Sequence, residues 1–367
     1  MSTNENKDKK AEVTALQAIS AEDRKDWISL AFVQAGICVC VPAFLLGALL
    51  AEAMPIWPAI ISGSLGYLIV VVGMVATGMI GCDLGLASCT CCQAGFGKSG
   101  ARFIVSTIFA VNMIGWFGIQ NGVCGEAFSN AMLAMTGWDI PVVVSNTIWG
   151  IIMLLTAVYG VHALEKLDKI SIPLLMIIMC YGTFLAFKVY GTGNLNDEGT
   201  VQSMSFMSGV ALSFNFTAVG TITGPDYTRF QKSRKDTVKS VFYGVFPMGV
   251  ITLIMGIVLT KLSGQYDISM VLIEVGLPLL GIIALVISTW TTNSTNAYSA
   301  GLNIVMALKL KDNRRREATL ISGIVGIVLC DLGILGHVEG VLSLLSYVVC
   351  PVGGVILADY WVVGKGK

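Results

Sequence analysis

The sequence predicts an all-α membrane protein: about ten transmembrane helices in two halves of five, the second half inverted, with the first helix of each half broken. Three observations carry this. The 367-residue chain is 55% hydrophobic and only 13% charged, about half the charge of an ordinary soluble domain. Its apolar residues gather into runs of about 20, the length that crosses ~30 Å of hydrocarbon. Its basic residues alternate between connections, as a single threading of the bilayer requires.

Residues 1–27 are polar and charged, with no apolar segment and no small-residue cleavage site. They are expected to form a cytoplasmic tail, the first span serving as the insertion signal. Ten spans follow at roughly 28–51, 56–80, 103–124, 141–160, 170–189, 203–222, 239–260, 276–299, 318–335 and 340–362. The first repeat then occupies 28–189, the inverted one 203–362, and 363–367 form a short cytoplasmic tail. Connections are short except near 82–101 and 223–238, where small interfacial helices are expected. With the N-terminus inside, all but two of the 23 Lys and Arg fall on the cytoplasmic side, leaving Lys188 and Lys261 outside. This is the expectation for a multi-pass protein of the cell's inner (plasma) membrane.

Five spans per half is an odd number, so the second half must run opposite to the first. That is the topology of inverted-repeat secondary transporters, whose broken helices open near the midplane. Span 1 offers Pro42 in GICVCVPAF. Span 6 offers Gly220 and then Gly224-Pro225 in FTAVGTITGPDY. Proline removes a backbone donor and clashes with the preceding turn.

Other classes are excluded by what is missing. Zero net charge gives no reason for a nucleic-acid partner, and the expected unit is a monomer in the lipid bilayer. Most of the ten cysteines lie in spans and read as small hydrophobes. Cys89, Cys91 and Cys92 (SCTCCQAG) have no second cluster to complete a metal site, and His162 and His337 are the only histidines. No nucleotide loop or catalytic constellation supports an enzyme, and no cofactor is expected.

Few ionisable residues lie deep in the spans: Glu126, Asp331 and Glu274 fall near ends, Asp226 and Asp359 at the cytoplasmic boundary. This favours a neutral substrate, with an ion held by carbonyls and hydroxyls rather than by a midplane carboxylate. Span 8 supplies the hydroxyls. In LVISTWTTNSTNAYSAGLN, eight polar side chains fall between Ser288 and Asn296, more than helix–helix bonding alone explains. A hard alkali cation takes oxygen ligands, which adjacent Thr291 and Thr292 offer beside the unwound carbonyls of span 1. In span 3 (FAVNMIGWFGIQNG), Trp116 stands among small residues with Asn112, Gln120 and Asn121 nearby. That suits stacking and hydrogen bonding to a flat heterocycle.

GWFG (Gly115–Gly118), GPDYTRF (Gly224–Phe230), WTTNSTNAYSAGLN (Trp290–Asn303) and PVGGVILADYW (Pro351–Trp361) stand in an order and spacing that resemble cytosine permeases of the nucleobase–cation symporter family. The resemblance spans essentially the whole chain. It implies a sodium-coupled symporter of amino-acid-transporter-like fold that imports a nucleobase or similar planar heterocycle by alternating access. By the same resemblance Trp116 stacks on the base, and Thr291 and Thr292 ligate sodium. Ser288 sits between both ligands, and backbone oxygens near Cys40 and Ala43 complete the ion site. Family members usually have twelve spans, of which the first ten make the transport core.

Three positions depart from the cytosine permeases. Met113 replaces a Gln three residues before the stacking Trp, and Ser288 stands where Asn is frequent. The second stacking aromatic falls at Thr217 by ungapped counting, with Phe216 one residue earlier. Asn112, Asn215 or Gln120 then become the candidates for reading a base edge. The alternative cargo is a thiamine-precursor pyrimidine, a purine or a hydantoin, with proton coupling in place of sodium.

Overall fold

The computed structural model describes residues 18–366 apart from 160, 197–202, 266–267 and 312–313. Among these residues the chain is helical, with one isolated bridge between Lys25 and Gln231.

Span 1 is two helices, α1 (Trp27–Cys38) and α2 (Val41–Ala53), bent by 53°. Asp26 caps α1 by accepting from Ser29 N–H at 2.9 Å. Between the helices Val39 and Cys40 leave helical geometry, Cys40 being fully extended (φ −140°, ψ 158°). Pro42 therefore starts α2 rather than kinking a continuous helix; in a first turn its missing N–H has no intrahelical partner to lose.

Span 2 is α3 (Ile56–Leu84), closed by Gly85 at φ 66°. The expected small helices follow as α4 (Ser88–Cys91) and α5 (Gln93–Gly100). A π turn at Ala101–Val105 then leads into α6 (Ser106–Thr136), span 3. Spans 4 and 5 are α7 (Val142–Tyr159) and α8 (Val161–Tyr190). The second half contains α9 (Phe206–Thr217) and α10 (Gly220–Thr228) as span 6, then α11 (Arg234–Ser263) as span 7 and the short α12 (Ile268–Glu274). Spans 8, 9 and 10 are α13 (Pro278–Ala307), α14 (Arg315–Asp331) and α15 (Val338–Leu357), the last followed by a π turn at Ala358–Val363.

Two expectations need correction. The break in span 6 lies at Ala218–Val219, before Gly220, and both residues keep helical dihedrals. Gly224 and Pro225 sit inside α10. A Cβ on Gly224 would lie 2.8 Å from the Met74 carbonyl oxygen, so this glycine permits close packing on α3 rather than unwinding the chain. Second, residues 223–238 hold no separate interfacial helix. α10 runs to Thr228 and α11 starts at Arg234, where the Ser233 hydroxyl accepts from Asp236 N–H at 3.1 Å.

By length and composition six helices suit a membrane crossing, and the bent α1–α2 pair adds a seventh. The other three are shorter or more polar. α7 has 18 residues and α14 has 17, near the lower limit for a span. α13 has 30 residues but carries the hydroxyl-rich stretch.

Packing reveals the repeat. Spans 1, 2, 6 and 7 contact one another as one body, and spans 3, 4, 8 and 9 as a second; span 5 runs along spans 7 and 8, span 10 along spans 6 and 3. Each body contains a span together with its counterpart five places on, as an inverted repeat demands. In the first body the backbones touch. A Cβ on Gly47 would sit 2.5 Å from Leu253 O, and one on Gly256 2.4 Å from Phe44 O. Small residues permit such approaches in membranes. Gly47→Val is expected to drive α2 from α11 and abolish a monodisperse peak in detergent chromatography, whereas Gly193→Ala in the connection after α8, where an added Cβ meets no atom within 4 Å, retains it.

On the face carrying the N-terminus, spans 2, 7 and 10 are tied together. Arg234 Nε donates to Asp83 Oδ1 and Oδ2 at 3.0 and 2.9 Å, and its Nη2 donates to Gly366 O at 2.9 Å. The Tyr360 hydroxyl donates to Asp83 Oδ2 at 2.7 Å, and Trp361 Nε1 to Ala76 O at 3.2 Å. The N-terminal segment crosses the same face, with Ile19 N–H donating to Gly85 O and Arg24 Nη1 to Gln231 O, both at 2.9 Å. Cys82 lies buried beneath, its thiol 3.6 Å from Gln231 O. Arg234→Gln is expected to speed maleimide labelling of Cys82, scored by mass spectrometry of the Cys82 peptide.

Candidate substrate and ion site

The break in span 1, span 3, span 6 and span 10 meet in one continuous buried cluster. It contains Cys40 and Ala43 of the first span, Trp116, Phe216, and Leu342 and Leu345 of α15. Trp116 belongs to the second body and Phe216 to the first, so their contact crosses the boundary between bodies. The ring centroids are 5.0 Å apart with an interplanar angle of 84°, an edge-to-face pair. Of the two positions that counting offers, Phe216 is the one that meets Trp116. The Thr217 hydroxyl donates to Ser213 O of its own helix at 3.1 Å.

A flat ring held between two parallel rings needs about 7 Å between them, twice a carbon contact distance. At 5.0 Å and nearly perpendicular, Trp116 and Phe216 fill each other's place. Admitting a heterocycle between them requires the two bodies, or the Phe216 ring, to shift.

Asn112, Met113 and Gln120 share the Trp116 face of α6, at spacings of three and four residues. Met113 is half-buried. Asn112 and Gln120 are 2% and 3% exposed, and their Oδ1 and Oε1 atoms meet no donor. Buried polar atoms without partners are rare, so these two amides hold unused hydrogen-bonding capacity one turn either side of Trp116. Asn215 is more committed. Its Nδ2 donates to the Ser343 hydroxyl at 3.1 Å, and its backbone oxygen accepts from Ser346 Oγ at 3.2 Å.

The polar stretch of α13 divides between two faces. Toward spans 3 and 4, Asn293 Nδ2 donates to Phe117 O at 3.2 Å, Ser294 Oγ to Met153 O at 2.9 Å and Trp290 Nε1 to Thr156 Oγ1 at 2.9 Å. These residues do serve as interhelical glue. On the other face, Thr291 and Thr292 both donate to Ser288 O, at 3.0 and 3.1 Å, and Ser288 Oγ donates to Leu285 O at 3.2 Å. A hydroxyl that spends its proton on its own helix keeps both lone pairs outward, the orientation a cation ligand needs. α13 touches α2, the half-helix that starts at the break. At the break the Cys40 carbonyl oxygen accepts from Ala43 N–H at 3.0 Å, and a carbonyl oxygen has a second lone pair to offer.

Two residues near the break escaped the sequence reading. Gln34 and Tyr67 are fully buried, and Gln34 Oε1 and the Tyr67 hydroxyl meet no partner. Their signal is a lone polar residue within an apolar run, FVQAG and SLGYL.

The cysteine cluster separates into individual contacts. The Cys89 thiol donates to Asn303 Oδ1 at 3.4 Å and Cys91 to Leu86 O at 3.4 Å, while Cys92 is packed in a second apolar cluster. Burial pushes the Cys89 and Cys91 thiols up to about 12.

Comparison with known proteins bears on the family and the fold. Residues 19–367 match the family described as permease for cytosine/purines, uracil, thiamine, allantoin. The cytosine permease of Escherichia coli K12 is 30% identical over 341 residues, covering 92% of this chain and 78% of that protein. The allantoin permease of Bacillus subtilis is 23% identical, covering 94% and 77%. Among solved structures, the nucleobase-cation-symport-1 family transporter Mhp1, closed around bromovinylhydantoin, superposes with a TM-score of 0.80. It is 18% identical, covering 95% of this chain and 81% of that one. A sodium-coupled sialic acid symporter in a substrate-bound outward-open state gives 0.69 at 14% identity, covering 93% and 80%. With a family model matched over residues 19–367 and a cytosine permease 30% identical across most of both chains, the chain belongs to the family of permeases for cytosine/purines, uracil, thiamine and allantoin.

Proposed function

We propose that this permease imports a nucleobase or similar planar heterocycle together with sodium, by alternating access in the cell's inner (plasma) membrane, with its N-terminus in the cytoplasm. The observation that carries the reading is the Trp116–Phe216 contact across the boundary between the two bodies. A ring inserted there touches both bodies at once, so occupancy favours the arrangement that encloses it over those that do not; a ligand shifts an equilibrium only by such a difference in affinity. The ion reading rests on the hydroxyl pair of α13, a helix that touches α2, and on the resemblance, which sets Ser288 between ion and substrate. The orientation rests on the sequence, in which the connections expected on the N-terminal side hold all but two of the 23 Lys and Arg.

Uptake of radiolabelled cytosine into proteoliposomes, with inward sodium or choline gradients, tests the proposal. Sodium-dependent uptake is expected; uptake equal in both gradients would overturn the ion assignment.

A second reading of the cargo has its own support. Met113 stands where cytosine permeases carry Gln, and a site built to hydrogen-bond one edge discriminates sharply against analogues that lack it. A purine, a thiamine-precursor pyrimidine or a hydantoin is the alternative, with Asn112 and Gln120 reading its edge. Met113→Gln is then expected to raise the potency of cytosine as a competitor and lower that of the native cargo, measured with a panel of unlabelled bases.

A further inference from the structure

On the face opposite the N-terminus, spans 3, 4 and 9 enclose a polar cluster that the transport site does not use. Asn121 of α6 is fully buried and donates its Nδ2 to the backbone oxygen of Asn146, on α7, at 2.9 Å. Asn146, 4% exposed, donates its Nδ2 to Asp331 Oδ1 at 3.2 Å. Asp331 is the last residue of α14.

These two donations fix how each amide is turned. Flipping either would set a carbonyl oxygen against another acceptor. The remaining atoms, Asn121 Oδ1 and Asn146 Oδ1, are therefore oxygens by necessity, and both are buried without a donor. The Asn146 oxygen presses on α6: a Cβ on Gly125 would lie 1.9 Å from it. Gly125 is one turn after Asn121, on the same face of α6, so the glycine makes the room this oxygen occupies.

The electrostatics point the same way. A helix C-terminus carries partial negative charge, and here a carboxylate is added to it. The ion pairs among the described residues, Arg234–Asp83 and Arg314–Glu317, lie elsewhere. Two unmet carbonyl dipoles and one carboxylate thus sit in one bonded network. The two unmet amide atoms and the carboxylate are all oxygens, which suits hard cations; the buried Cys330 thiol also lies beside Asn121. A single carboxylate balances one positive charge.

We propose that Asn121 Oδ1, Asn146 Oδ1 and the Asp331 carboxylate bind a monovalent alkali cation that ties spans 3, 4 and 9 together. This site is separate from the α13 hydroxyls and stands without the transport reading.

The test is thermal unfolding of the purified full chain in detergent, in sodium, potassium or choline chloride at equal ionic strength. In the Thr292→Ala background, sodium or potassium is expected to raise the melting temperature by a few degrees over choline, by mass action on the folded state. Adding Asp331→Asn is expected to remove that rise. If Asp331→Asn yields no folded protein, Asn121→Ser keeps the carboxylate, deletes one carbonyl oxygen and is expected to shift the response to higher cation concentration. A melting temperature indifferent to cation in the Thr292→Ala background overturns the proposal, as does an unchanged response in the Asp331→Asn or Asn121→Ser protein. A response that survives Thr292→Ala unchanged but disappears with Asp331→Asn removes the α13 ion site and leaves this one standing.

Discussion

Trp116→Ala is expected to weaken equilibrium binding of the transported base by about 5- to 150-fold, the range that corresponds to the ~1–3 kcal/mol measured for stacking one base on an aromatic side chain. Trp116→Phe, which keeps a smaller π face, is expected to retain part of that affinity. The measurement is scintillation-proximity binding to purified protein, with Phe216→Ala run alongside. Because the two rings touch edge to face at 5.0 Å, each variant also deletes half of the contact that joins the bodies when no base is bound. That contact opposes entry of a ring between them. Both variants therefore lose a stacking face and remove the same obstacle, and Phe216→Ala, which deletes the smaller π face, should lose less than Trp116→Ala. Equal binding by the Trp116→Ala and parent proteins would sink the stacking assignment.

The architecture was legible because the bilayer imposes strict rules on a chain. Apolar runs of fixed length and the bias of Lys and Arg place the ten spans, and an odd number per half dictates inversion. The break in span 1 was readable from Pro42 because proline has few places in a helix. The break in span 6 was misplaced for a physical reason. Glycine serves both unwinding and close packing, and only contact with α3 reveals that Gly224 serves the second. Thr217 and Phe216 were separated by a single residue of register, which amounts to about 100° around a helix. Counting from a motif cannot choose between them, but a ring 5.0 Å from Trp116 can.

The polar stretch of span 8 shows the same limit. Its composition says that much of the helix faces protein, but not which residues face which neighbour. Asn293 and Ser294 turned out to bond spans 3 and 4, leaving Ser288, Thr291 and Thr292 on the free face. Asn215, equally polar, is held by Ser343, 128 residues away in sequence. No local pattern announces such a partner.

Thr292→Val tests the ion site most directly, since valine keeps the branched shape and removes the oxygen. The Thr292 hydroxyl already donates its proton to Ser288 O, so its loss leaves that carbonyl with the Thr291 hydroxyl as a remaining donor, and the helix itself should be little disturbed. What disappears is a lone pair directed off the helix. Sodium affinity is expected to fall by at least about tenfold, the scale at which even outer-shell changes act on bound metals. Thr292→Ser, which restores the oxygen, should recover most of it, and the Thr291→Val/Thr292→Val pair should leave uptake indifferent to sodium. If coupling is reciprocal, as binding linkage requires, Thr292→Val also lowers base affinity in sodium while leaving affinity in choline unchanged. A merely structural role for the two threonines predicts the opposite pattern, a loss of base binding that is the same in both salts.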